Sequence, residues 1–120
     1  MLVERFNTLL KFLADHPQHH ARGTSLYDFV EGLTTAAFHE AQPVFEAGGK
    51  VSIAELGSII LPYEKMGAID SIDLFGLDEL LMFSFYHRNR GRYSRAADIG
   101  ANIGLHSIIL SLCGSKVEAY

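Results

Sequence analysis

The segment Arg95-Ala96-Ala97-Asp98-Ile99-Gly100-Ala101-Asn102-Ile103-Gly104-Leu105-His106-Ser107 changes character twice. Residues 95–99 read as a short strand, residues 100–104 as a glycine-bearing turn, and residues 105–112 as an apolar helix capped by Gly114. Residues 116–120 start another strand. Strand, turn, helix and strand in that order open a parallel α/β sheet, because parallel neighbours need a crossover and a helix is the usual one. The predicted fold class is therefore α/β.

The turn is also where chemistry belongs. Ligands bind in the crevice at the carboxyl ends of parallel strands. Gly100 and Gly104 let the backbone approach a ligand with no Cβ in the way. The first amides of the following helix lack intrahelical acceptors and face the same crevice. Asp98 sets a carboxylate beside them. A ligand with a cationic amine and an anionic carboxylate matches that pair, as the amino-acid end of S-adenosylmethionine does. A dinucleotide fingerprint starting at Gly100 would require glycine at 102 and 105, where the chain has Asn102 and Leu105. Asn102 suits a left-handed position, which Asn enters more readily than most residues.

Upstream, residues 2–14 form an amphipathic helix with Leu2, Phe6, Leu9 and Leu13 on one stripe, stopped at His16-Pro17. Residues 17–24 are a polar loop. A second helix begins at Thr24 or Ser25, with Asp28 completing a capping-box pattern from Ser25. Leu26, Phe29, Val30, Leu33 and Ala37 share its apolar face, and Pro43 closes it. Residues 44–54 then read as a hairpin turning on Gly48-Gly49, and residues 58–61 as a further strand ended by Pro62. Residues 63–75 look irregular. A third helix spans about 74–90, with Asp78 and Glu79 near its start, Arg88 and Arg90 near its end and Gly91 as its cap. Three regions follow: helices over 1–42, a hairpin, strand and helix over 43–92, and the β-α-β unit over 93–120.

Composition bounds the rest. A chain of 120 residues, 48% of them hydrophobic, fits one packed domain and excludes a disordered chain. The net charge of −4 argues against a general nucleic-acid binder. The single Cys113 forms no internal disulfide, and no run of apolar residues is long enough to span a bilayer. The expectation is a cytoplasmic protein that engages neither membrane nor nucleic acid.

Residues 98–107 closely resemble the first cofactor motif of the FkbM-type methyltransferases, in which Asn replaces the middle glycine. The resemblance covers residues 95–120, and residues 61–86 look like the region that precedes the motif in some members. Residues 1–60 carry no motif of that family. The resemblance implies a Rossmann-like class I fold, S-adenosylmethionine as cofactor and methyl transfer to a hydroxyl-bearing small molecule. By the same resemblance, Asp98 would hold the methionine amino group. Gly100, Ala101, Asn102 and Gly104 would surround the methionine and sulfonium, and Ser107 would support the loop or the carboxylate. The family's next landmark is an acid after the second strand. Glu118 lies two residues too early for it, so it receives no role. A doubly wound sheet has roughly six strands, so the chain is expected to be the N-terminal portion of a longer protein, inactive alone, with an exposed sheet edge.

Other residues carry blander readings. His16, His19 and His20 lack matching ligands and read as a solvated loop. His106 reaches the ligand or is a half-buried helix histidine, and a base role for it or His87 awaits geometry. Glu79 reads as a helix-dipole partner, although related enzymes often carry an acid near that spacing. Arg88, Arg90 and Arg92 read as a solvated helix end, and Phe83, Phe85 and Tyr86 as packing residues. Cys113 reads as a buried structural thiol. Two other functions compete: an N-terminal interaction or dimerising module, with the chain a homo-oligomer, and a nicotinamide-dependent oxidoreductase, against which Asn102 and Leu105 argue.

Overall fold

The longest helix shows how this chain organises itself. In the computed structural model, which describes residues 2–53, 57–60 and 63–120, α2 runs Ser25–Glu46 and passes straight through Pro43. Its buried residues are Tyr27, Val30, Thr34, Phe38, Ala41 and Phe45, one face at helical spacing. Phe38 stacks on Phe75 with centroids 4.7 Å apart, and Phe45 lies 5.3 Å from the same ring. These aromatic contacts hold the last turn helical despite the proline, which removes only one amide from the ladder.

That continuation corrects two expectations. Residues 44–46 are helix and Ala47 is its C-cap, so the hairpin does not turn on Gly48-Gly49. Those glycines instead end α2 in a Schellman motif: Gly48 has φ +68°, its amide donates to the Phe45 carbonyl, and Gly49 donates to Val44 at 2.8 Å. A Cβ on Gly49 would fall 2.6 Å from Val44 Cγ1, so glycine is required there. The expected apolar face holds only in part: Val30 is buried and Leu26 packs against the core, but Phe29 is 63% exposed and Leu33 is exposed, while Thr34 and Phe38 point inward. The cap is Thr24, whose Oγ1 accepts from the Tyr27 amide at 3.2 Å, one residue before the Ser25 expected.

Helix α1 spans Leu2–Asp15. Its Leu10 and Leu13 are buried, whereas the side chains of Leu2 and Phe6 lie outside those described. It packs on α3, Leu77–Arg88. Arg88 bridges the two helices through Asp15 at 2.8 Å and the Ala14 carbonyl at 3.1 Å. Arg22 and Tyr27 both bond Asp78 across the α2–α3 junction.

The hairpin is β1, Lys50–Ile53, paired antiparallel with β2, Gly57–Ile60. Ala54 and the expected strand end at Leu61-Pro62 lie outside the described residues. Residues 63–75 are more ordered than expected. They hold a small antiparallel pair, β3 Lys65–Met66 with β4 Ile69–Asp70, then a 3-10 turn at Asp73–Phe75.

The parallel unit forms as read. Strand β5, Arg95–Asp98, pairs in parallel with β6, Lys116–Ala119, through α4, Leu105–Leu112, with Asp98 opposite Ala119. Leu105, Ile109 and Cys113 pack inward and join one apolar cluster with α1, α2, β2 and α3. The strands themselves stay largely open to solvent, and Ile99, expected at the end of the first, falls in the turn after it and is 83% exposed. The chain is thus mixed helix and strand with small parallel and antiparallel sheets. Among the described residues no helix is long and apolar enough to cross a membrane.

Candidate cofactor site

Strand β5 ends at Asp98, and the chain must then reverse into α4. It does so with three left-handed residues: Gly100 at φ +78°, Asn102 at +51° and Gly104 at +83°. Only glycine takes such angles freely, and Asn is the best of the rest. A Cβ at Gly100 or Gly104 would meet nothing within 4 Å. The glycines are therefore there for backbone conformation, and the space beside them is open.

Asp98 is half-buried at the mouth of this turn. Ser107 Oγ donates to its Oδ2 at 2.6 Å, which fixes the carboxylate. Oδ1 accepts no hydrogen bond from the described residues, so a ligand ammonium can take it. The loop amides divide in two groups. Gly100 and Ala101 both donate to the Tyr120 carbonyl at 3.0 Å, and Gly104 donates to Ala101 at 2.8 Å. These three hold the loop's shape. The first helical bond runs from Ile108 to Gly104, which leaves the amides of Leu105, His106 and Ser107 in the first turn of α4 without intrahelical acceptors. The six residues read from the sequence, Asp98, Gly100, Ala101, Asn102, Gly104 and Ser107, thus sit in one turn. Ala101 and Gly100 serve it through internal bonds. An open groove of about 430 Å³ is lined by Ser107 together with Ile59, Ile60, Ile108, Leu112 and Val117.

A second cluster adjoins the first turn of α4. His106 Nε2 lies 2.8 Å from Glu79 Oε2, and Tyr86 Oη lies 3.1 Å from His106 Nδ1. Phe83, fully buried, holds the imidazole edge-on at 5.1 Å. Burial, with the charges of Asp98 and Glu79, pushes the Tyr86 phenol above its ordinary value. Glu79 does sit in the first turn of α3, but it also binds His106, which spacing alone did not reveal. Phe85 is exposed and not part of the core, its ring meeting only the edge contact of Tyr86 at 6.3 Å among the described aromatic pairs.

The remaining candidates have structural partners. His16 Nδ1 meets the Phe12 carbonyl at 2.9 Å and His20 Nε2 meets the Leu13 carbonyl at 2.7 Å, so these imidazoles close the end of α1 rather than hang in solvent. Arg90 donates to the His87 carbonyl and Arg92 to Asn89 Oδ1, tying off the end of α3. Glu118 pairs with Arg95 across the parallel strands at 2.7 Å and accepts from Tyr120, away from the crevice. Cys113 is buried, which pushes its thiol up despite the opposing charge of Arg90.

No protein-family model, no curated protein and no solved structure matches the chain. The functional reading stands on the chemistry of the turn.

Proposed function

We propose that this chain carries the cofactor-binding start of a Rossmann-like S-adenosylmethionine-dependent methyltransferase of FkbM type, acting on a hydroxyl acceptor. The observation that carries the reading is Asp98. It ends a parallel strand, is held by Ser107, and has an Oδ1 that accepts no hydrogen bond among the described residues, beside a turn of three left-handed residues in which the space at Gly100 and Gly104 is open. The donor set fits the methionine end of the cofactor. Asp98 would take the ammonium, the amides of the first turn of α4 would take the carboxylate, and Gly100 to Gly104 would pass around the chain between them. When bound, the cofactor supplies an electrophilic methyl group on a sulfonium. The protein's own share is to fix that group against its acceptor and to exclude water.

Calorimetric titration with S-adenosylhomocysteine tests this. The protein should bind it, and Asp98→Ala should weaken binding by about 10- to 150-fold, the equivalent of one charge-assisted hydrogen bond at roughly 1.5–3 kcal/mol. No heat of binding in the folded protein would dispose of the proposal.

One observation favours a second reading, an interaction module. Phe29 and Leu33 place apolar area in solvent along α2. That reading expects a concentration-dependent oligomer in light scattering that Phe29→Glu disperses, together with no cofactor binding.

A further inference from the structure

The Glu79–His106–Tyr86 cluster has the geometry of an assisted hydroxyl. A carboxylate only accepts, so Glu79 Oε2 at 2.8 Å places a proton on His106 Nε2. Nδ1 is then a lone pair, and the Tyr86 hydroxyl at 3.1 Å is its donor. One tautomer satisfies all three groups. Two aromatic rings flank the imidazole, Phe83 with centroids 5.1 Å apart and Tyr86 at 5.9 Å, both edge-on. A hydroxyl in reach of a base, with the base oriented by a carboxylate, is the general arrangement for activating an oxygen. The groups facing it are Glu79 and Tyr86 itself from α3, Asp98 from β5, and Cys113 at the end of α4, with Arg90 near that thiol. The cluster stands at the first turn of α4, the same turn whose amides lack intrahelical acceptors.

We propose that Tyr86, His106 and Glu79 form a proton relay that deprotonates the hydroxyl of a ligand bound beside the Asp98 turn. The ligand's proton passes to Tyr86 Oη as the Tyr86 proton passes to His106 Nδ1. Nε2 keeps its proton, and Glu79 balances the imidazolium. The freed lone pair on the ligand oxygen is what attacks an electrophilic carbon. The purpose of the relay rests on the methyl-transfer reading, whereas its proton chemistry does not.

The test exploits that independence. Activated Tyr86 should react with p-nitrophenyl acetate. Its oxygen bonds to the carbonyl carbon, p-nitrophenolate leaves, and the phenol proton goes to His106. Mass spectrometry of peptides from the intact, folded chain ranks its tyrosines. A half-buried phenol with a raised pKa should be acetylated more slowly than exposed Tyr93 and Tyr120 unless it is assisted. The relay predicts the opposite order, with Tyr86 first. It also predicts that Glu79→Gln and His106→Gln each slow Tyr86 by at least about tenfold, since base assistance is typically worth ~10²–10⁴. Gln at 106 keeps an amide donor for Glu79 but offers no basic Nδ1, so it preserves the contact while removing the chemistry. Tyr86 trailing Tyr93 and Tyr120 in the unsubstituted protein, or labelling equally in His106→Gln, overturns the relay whether or not a variant folds poorly. S-adenosylhomocysteine titration of the unsubstituted protein reports separately on the methyl-transfer reading.

Discussion

Replacing Phe45 by Ala asks whether α2 is folded by its own sequence or by its neighbours. Phe45 is 1% exposed and lies past Pro43, with its ring 5.3 Å from Phe75. Truncating a buried Phe to Ala typically costs ~3–5 kcal/mol, the transfer term plus the cavity. Against a total stability of roughly 5–15 kcal/mol, that is a large share. For a domain of this size each kcal/mol moves the midpoint by roughly 3–6 °C, so Tm should fall by about 9–30 °C. Phe29→Ala is the matched control. It is 63% exposed on the face the sequence favours, and it should change stability by no more than about 0.5 kcal/mol. Thermal and urea unfolding followed by circular dichroism measure both, and an unchanged m-value shows that the two variants report on the same transition. If Phe29→Ala were as damaging as Phe45→Ala, the buried face would be the one carrying Phe29 and Leu33. The account of α2 running through Pro43 to a Schellman end would then be wrong.

Pro43→Ala should stabilise the protein by about 1–2 kcal/mol: it returns a donor for the carbonyl one turn back and relieves the ring, less the unfolded-chain entropy that proline suppresses. A lower urea midpoint would contradict this. Gly104→Ala should destabilise by about 1–2 kcal/mol through its left-handed backbone alone, since its new Cβ meets no atom within 4 Å; Gly104→Asn should lose less, as Asn102 already tolerates such a conformation. Asp70 accepts from the Tyr63 hydroxyl at 2.8 Å, which chiefly holds its carboxyl below the ordinary value, helped by the Ile72 and Asp73 amides against some burial. Its folded value lies under the unfolded one, so its stabilisation is complete above the unfolded value and is lost as pH falls through the folded value. Tyr63→Phe should move the Asp70 midpoint upward in an NMR titration, and an unmoved midpoint would show that the hydroxyl is not the cause.

The parts of the fold that were legible in sequence are those whose causes are local. The turn after Asp98 announces itself because glycine at 100 and 104 and Asn at 102 are what a left-handed strand-to-helix turn demands, and Ser107 lies one helical turn from the loop. The end of α2 misled for an equally physical reason. Gly-Gly serves a hairpin and a Schellman cap alike, because both need a positive φ. Pro43 tilts the local balance toward stopping, and only the distant Phe75 reverses it. The face of α2 was misassigned because Phe29 and Leu33 are more apolar than Thr34, yet Thr34 satisfies its hydroxyl on the Val30 carbonyl at 2.8 Å and so enters the core without an unmet polar group.

The candidate site divides along the same line. Asp98 and Ser107 meet across a loop nine residues apart, whereas Glu79 and His106 meet across 27, and nothing in their spacing marks them as partners. What joins them is the core. Phe38 and Phe45 of α2 close on Phe75, Phe75 meets Phe83 at 6.4 Å, and Phe83 meets the His106 ring at 5.1 Å. The imidazole is therefore the last member of an aromatic row that begins in α2. Packed interiors transmit a displacement because they leave little free volume to absorb it. The same truncation that tests α2 should accordingly reach the site. In a Phe45→Ala protein kept well below its midpoint, loosening of Phe75 and Phe83 should broaden the His106 ring signals in NMR more than those of His39, which lies exposed on α2 outside this row. Equal broadening at both histidines would show that the row fills space without positioning the ring.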